Sequence, residues 1–374
     1  MLRFRTFSLR GLALLTMLPG LSTLASAGYI QTNLVSDIPG LAAFTDANLK
    51  NPWGISASPT SPFWVSDQVT GRATLYGATG MPAALIVTVP GSGATPPQGP
   101  TGQVFNSTAS SFQVAGGKAN FLFATLGGTI DGWNNGTTAS VAFTAADHAN
   151  YTGLALGTVG ANDFLYAADF GNAKIDVVNS SFALTAPGGN FVDPSLPAGY
   201  APYNIQNIGG RLYVEYAQMD PTTHRAATTP NTGVVSVFDL SGNFLQRLAT
   251  ANHLDSPWGV ALAPAGFGTF GGDLLVGNFG DGTISAFNPV TGAFAGIVST
   301  AAGTPIVNSG VWGISFHAAG GGFDPNTLYF AAGINDEADG LFGAIQFTPE
   351  PATFSLIVSI AVVGFGFRRR LALR

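Results

Sequence analysis

Six residues stand at one recurring place in the chain, just after a short apolar run: Asp67, Thr125, Asp169, Tyr216, Asn278 and Gly333. The oxygen-bearing members Asp67, Asp169 and Asn278, with Glu215 beside Tyr216, are hard ligands of the kind that Ca²⁺ takes. A second acidic group, Asn335-Asp336-Glu337-Ala338-Asp339-Gly340, crowds three carboxylates into four residues and adds Asp336 and Asp339 to the candidate cation ligands. It lacks the spaced ligands of an EF-hand. Asp and Asn also begin turns and bond to their own backbone, so turn chemistry accounts for the same residues. A third recurring set is aromatic: Trp53, Phe112, Tyr151, Tyr203, Trp258 and Trp312. Trp53, Tyr203, Trp258 and Trp312 are candidates to stack on a sugar or another flat ligand. Their recurrence in every unit favours wedges that pack one repeat on the next.

Other chemistry finds little support. None of the four histidines, His148, His224, His253 and His317, lies in a zinc-hydrolase pattern. Gly-x-Ser-x-Gly does not occur, and no glycine-rich run opens a phosphate-binding helix. With no cysteine in the chain, thiolate nucleophiles, thiolate metal sites and disulfides are excluded. Glu215 follows an apolar run and is the carboxylate whose burial would raise its pKa, as a base or a hydrogen-bonded structural group.

The elements that must position these residues repeat six times. Asn51-Pro52-Trp53-Gly54-Ile55, Ser256-Pro257-Trp258-Gly259-Val260 and Gly310-Val311-Trp312-Gly313-Ile314 are the clear copies. Weaker copies start at Phe112, Tyr151 and Tyr203, which leaves spacings of 39 to 59 residues. Each start leads into an apolar run and then an alternating one, such as Val234-Val235-Ser236-Val237-Phe238. The turns between them draw on 50 glycines and 23 prolines. Fourth strands are expected at 84–89, 140–144, 182–185, 243–248 and 293–298, and the sixth unit has none. The spare segment Tyr29-Ile30-Gln31-Thr32-Asn33-Leu34 completes it if the ring closes through its ends. The fold predicted is all-β: a six-bladed β-propeller of four-stranded blades over 28–347, closed by the N-terminal strand pairing with the last blade. Long irregular segments at 90–110, 188–202, 217–232 and 333–340 all fall on one face of such a ring, where ligands are expected.

The repeat of Pro-x-Gly-Ile/Val, apolar strand, Asp/Asn turn and alternating strand resembles the NHL-type six-bladed propellers. The stretch from Asn51-Pro52-Trp53-Gly54 to the closing acidic run also resembles an uncharacterised family of exported bacterial proteins. That resemblance implies a fold and no reaction.

Charge divides the chain. The net charge is −6, but 28–347 holds seven basic and nineteen acidic residues, a balance of −12 that excludes nucleic acid as a partner. Residues 1–27 read as a signal peptide: Arg3, Arg5 and Arg10 precede an apolar run, and Ala25-Ser26-Ala27 offers a signal peptidase site before Gly28. Residues 348–374 contain Pro349-Glu350-Pro351, an apolar stretch over 354–367, and Arg368-Arg369-Arg370. This order resembles the PEP-CTERM sorting signal of Gram-negative bacteria. The resemblance implies recognition by an exosortase-type processing enzyme, transient membrane association and delivery to the cell surface or an extracellular matrix. The function expected is a surface-associated propeller that binds a glycan or protein. The alternative is a metal-assisted lyase or hydrolase, lactonase-like, working in the channel.

Overall fold

A computed structural model describes residues 27–92, 98–250 and 252–350. The leader and the tail from Pro351 onward, including Arg368, Arg369 and Arg370, lie outside the described residues. Pro349 and Glu350 are described and directly follow the last strand, which ends at Thr348.

Six antiparallel sheets form a ring. The innermost strands are Pro52–Ser56, Pro100–Phe105, Tyr151–Val159, Tyr200–Ile208, Pro257–Leu262 and Val311–Phe316. Each contacts the innermost strand of the next blade, and the sixth contacts the first. Within a blade the chain meanders outward. Blade 1 runs Pro52–Ser56, Phe63–Asp67, Arg72–Tyr76 and the short Val87–Thr88. Blade 6 closes as expected: Gly28–Ser36 pairs antiparallel with Leu341–Thr348, from Gly28 opposite Thr348 to Ser36 opposite Leu341. A short parallel strand, Phe44–Thr45, adds a fifth member to this blade. With first and last strands joined in one sheet, no blade boundary is left held by loops alone.

Alternation along the strands sends apolar side chains into every gap between blades. Phe63, Val65 and Tyr76 face blade 6, whereas Trp64 and Leu75 face blade 2. This two-sided burial explains why second strands such as Phe121–Thr125 and Leu274–Asn278 are buried along their whole length and apolar up to their last residue.

Two repeat starts differ from the expectation. The innermost strand of blade 2 is Pro100–Phe105, so the residue equivalent to Trp53 is Thr101 and not Phe112. In blade 3 the equivalent is Thr152, one residue after Tyr151. Phe112 sits before a small hairpin, Gln113–Val114 with Gly117–Lys118, at φ 62°, and packs on Phe182 of blade 3. Tyr151 is buried in the same interblade cluster and donates its hydroxyl to Asp176 at 2.7 Å. Both are interblade wedges. The segment 90–110, expected as a loop, holds this innermost strand.

Candidate functional site

Each innermost strand breaks its ladder at the repeat-start residue. The pairing register shifts between Pro52 and Ile55, Tyr151 and Gly153, Pro202 and Asn204, Pro257 and Gly259, and Val311 and Ile314. Such bulges re-aim a side chain, and here the aromatic ones meet across the ring axis. Trp53 stacks on Trp312 with centroids 3.6 Å apart and meets Trp258 edge-on at 6.0 Å and Tyr203 at 6.4 Å. Phe279 stacks on Trp312 at 4.1 Å, and Phe170 lies 4.9 Å from Tyr203. Side chains from blades 1, 4, 5 and 6 reach one another only at the axis, so they form a plug. This corrects the expectation of blade-to-blade wedges for these four residues. At 0–5% exposure they present at most one edge to a ligand.

The residue after each start is Gly54, Gly102, Gly153, Gly259 or Gly313, with Asn204 in blade 4. A Cβ at Gly54 would lie 2.5 Å from the Thr101 oxygen, at Gly259 2.2 Å from the Trp312 oxygen, and at Gly313 2.7 Å from the Trp53 oxygen. Glycine therefore lets neighbouring innermost strands come this close. Asn204 instead donates to the Trp258 oxygen at 2.6 Å.

The plug separates two cavities. The one on the loop face measures about 620 Å³; Trp53, Phe170 and Tyr203 of the plug line it, with Gln68, Asn150, His224, Arg225 and Glu337. The opposite mouth holds about 420 Å³, with Gln103, Asn204, Gln206 and Ser315 among its lining. On the loop face one network ties plug to rim. Trp312 Nε1 donates to Asn51 Oδ1 at 3.0 Å, and Asn51 Nδ2 donates to Gln68 Oε1 at 3.0 Å and Glu337 Oε2 at 3.2 Å. Arg225 Nη2 donates to both Glu337 oxygens, at 2.9 and 2.8 Å. Burial pushes the Tyr203 phenol well up; Glu337 pushes the same way and Arg225 against it, so both charges act on the plug. Trp53 Nε1 is buried with no hydrogen-bond partner.

The residues expected to hold a cation do not gather among the described residues. Asp67 and Glu215 are fully buried between blades, and burial raises both well above the usual carboxylate range, with Thr74 pulling Asp67 the other way. Asp67 shares the blade 6 side of its strand with Phe63 and Val65, and Glu215 shares with Tyr213 the side facing blade 5. Asn278 is spent on a turn, donating to His253, Thr283 and Ser285 and accepting from the Asp255 amide. Asp336 is exposed, and Asp339 bonds Asn335 and Lys50. Asp169 accepts from the Asn150 and Asn172 amides, the turn role. It also joins the one trio of carboxylates within 4.8 Å among the described residues, Asp147, Asp169 and Asp176. The Lys174 ammonium lies 2.7 Å from both Asp147 and Asp176, so that trio already has a cation of its own.

Asn51, Gln68, His224 and Arg225 were not singled out in the sequence, and Glu337 was only one of three acids in a run. The available signal was Asn51 before Pro-Trp-Gly, at φ 44°, a left-handed conformation that asparagine tolerates. Nothing in spacing pairs Arg225 with a residue 112 positions away.

No protein-family model matches the chain. An uncharacterised protein of Acanthamoeba polyphaga mimivirus is 34% identical over 328 residues, covering 83% of this chain and 78% of its own. A second uncharacterised mimivirus protein is 33% identical over 327 residues, covering 83% and 84%. The chain belongs to the family of these two viral proteins. Among solved structures, a streptogramin B lyase superposes with a TM-score of 0.51 at 13% identity, over 86% of this chain and 98% of its own. A structural-genomics protein of unknown function from Bacteroides thetaiotaomicron gives 0.52 at 12% identity, over 86% and 76%. Both likenesses support the propeller fold.

Proposed function

We propose that the protein is an exported, surface-associated propeller that binds a glycan or protein ligand in the loop-face cavity. The observation that carries this is the cavity's make-up: an apolar wall of Trp53, Phe170 and Tyr203 faced by polar groups that include Gln68, Asn150, His224, Arg225 and Glu337. Ligand pockets have this composition, a mostly apolar lining and a small number of orienting polar groups. Export and a bacterial origin are supported by the arginine-led leader and the Pro-Glu-Pro tail. In the test, a panel of oligosaccharides and peptides is screened by thermal shift against the wild type and Thr223→Trp. Thr223 is an exposed lining residue whose enlargement fills the mouth without touching the core. Ligands that stabilise the wild type and not the variant support the reading; ligands that stabilise both place binding elsewhere.

The alternative, a metal-assisted lyase or hydrolase, draws on the streptogramin B lyase fold neighbour and on His224 and Glu337 lining one cavity. Its expected ligands Asp67 and Glu215 lie between blades and Asp169 lies beside Lys174, so the binding reading has the stronger support. A stoichiometric divalent ion in purified protein, lost in Asp169→Ala, would reverse that preference.

A further inference from the structure

We infer that the loop-face cavity receives a basic side chain from a partner polypeptide, and that Arg225 is the chain's own stand-in for it. The inference rests on the cavity being a binding site and names the chemistry of what enters. Among the described lining residues there is one carboxylate, Glu337, and one permanent cation, Arg225. They are unequally built. Glu337 is the third of three consecutive non-glycine residues in the left-handed region, Asn335, Asp336 and Glu337, at φ 54°, 54° and 67°. That conformation costs energy at each residue and persists where the surroundings enforce it. The Asn335–Asp339 and Lys50–Asp339 contacts brace the turn, and Asn51 holds the carboxylate from below. The Glu337 side chain is 20% exposed, whereas that of Arg225 is 69% exposed on the 219–233 loop of blade 4. The anion belongs to the scaffold and the cation is laid on top of it.

The surroundings also suit a cation. Trp53, Phe170 and Tyr203 line the same cavity and give the alkyl stem of a long basic side chain an apolar wall to lie against. The −12 balance of 28–347 steers basic partners toward the ring and anionic ones away. Arg225, itself an arginine on an exposed peptide loop, already makes the bond that such a partner would make.

The test compares wild type, R225Q and R225Q/E337Q, titrating acetyl-Gly-Arg-Gly-amide and its citrulline counterpart, read by tryptophan fluorescence. A tethered competitor acts at an effective concentration in the millimolar range, so its removal is expected to tighten arginine-peptide binding by about tenfold or more. The citrulline peptide and the double variant are expected not to bind. Equal binding of both peptides overturns the inference, as does binding that survives in the double variant. So does a natively folded R225Q that ignores the arginine peptide. Glucosamine binding R225Q more tightly than the peptide also overturns it, by making the occupant an amino sugar. Should R225Q fold poorly, the wild-type Arg225 Nε resonance is followed as peptide is added; displacement shifts it, and no shift at saturation counts against the proposal. A ligand lost in Thr223→Trp yet bound alike by wild type and R225Q keeps the cavity reading and removes the cationic one.

Discussion

Replacing Gly259 by alanine should loosen the ring at its axis. The added Cβ would sit 2.2 Å from the Trp312 backbone oxygen and 3.0 Å from the Ile314 nitrogen, both on the innermost strand of blade 6. Neither contact is with a flexible side-chain end, so blades 5 and 6 must part by about 1 Å to restore ordinary contact. Overpacking of this kind costs about 1–3 kcal/mol, and a backbone neighbour argues for the upper end. Alanine recovers about 0.4–1 kcal/mol by restricting the unfolded chain, since the Gly259 backbone is not in the left-handed region. The net loss is then about 2 kcal/mol, or about 3 °C in melting temperature for a domain of this size. Calorimetry with Gly77→Ala as control checks it, because the Gly77 Cβ would meet only the Met81 oxygen, at 3.8 Å. Tryptophan emission should shift as well, since Trp258 and Trp312 pack 5.7 Å apart across the strained boundary. A Gly259→Ala protein as stable as Gly77→Ala would refute the close approach at the axis.

Further outcomes follow from the buried acids and the ion pairs. Burial, with the charge of Asp281 adding to it, raises Asp255 to about 6. Its folded form prefers the proton, so its contribution to stability grows as pH falls from 7 toward 4. Asp255→Asn should raise the melting temperature at pH 7 and flatten that part of the profile in a pH series of thermal melts. Asp193 behaves oppositely: burial raises it, but Arg247, the Ser195 amide and Ser236 together hold it below the usual range. Its stabilisation is present above the usual carboxylate pKa and is lost on acidification below about pH 4, with Asp193→Asn abolishing that loss. Glu215→Gln should raise urea stability at pH 6, because burial holds the folded carboxyl well above the usual range while the unfolded chain ionises it, and the neutral amide removes that penalty. A large loss there would show a charged Glu215. Chelator should not shift the wild-type melting temperature, whereas Lys174→Ala should acquire a Ca²⁺-dependent increase as Asp147, Asp169 and Asp176 lose their internal cation. Mass spectrometry of protein from its native host should find an N-terminus at Gly28 and no 354–367 segment; retention of either end would remove the proposed processing.

The propeller was legible because its signals are local. Turn residues mark off short apolar runs, and the recurrence of Trp-Gly after a bulge position makes the repeat visible at Trp53, Trp258 and Trp312. The same cue misled where the aromatic is replaced. Thr101 and Thr152 hold the equivalent places, and the nearby buried aromatics Phe112 and Tyr151 drew the starts away from them. With the structural starts the spacing narrows to 48 to 55 residues. The role of the glycine in each Trp-Gly pair was not legible, since it depends on the neighbouring blade's backbone oxygen. The candidate site was less readable still. Alternation along a strand decides whether an acid faces the axis or the next blade, which placed Asp67 and Glu215 between blades. The cavity rim is assembled from loops of different blades, so Asn51, Arg225 and Glu337 meet only after the ring closes.

The most direct test of the central claim is a co-crystal structure with a ligand drawn from the glycan and peptide screen. Ligand density is predicted in the loop-face cavity, against Trp53 and Tyr203 and within hydrogen-bond reach of Glu337. Density in the opposite mouth instead, against Gln103, Gln206 and Ser315, would contradict the account.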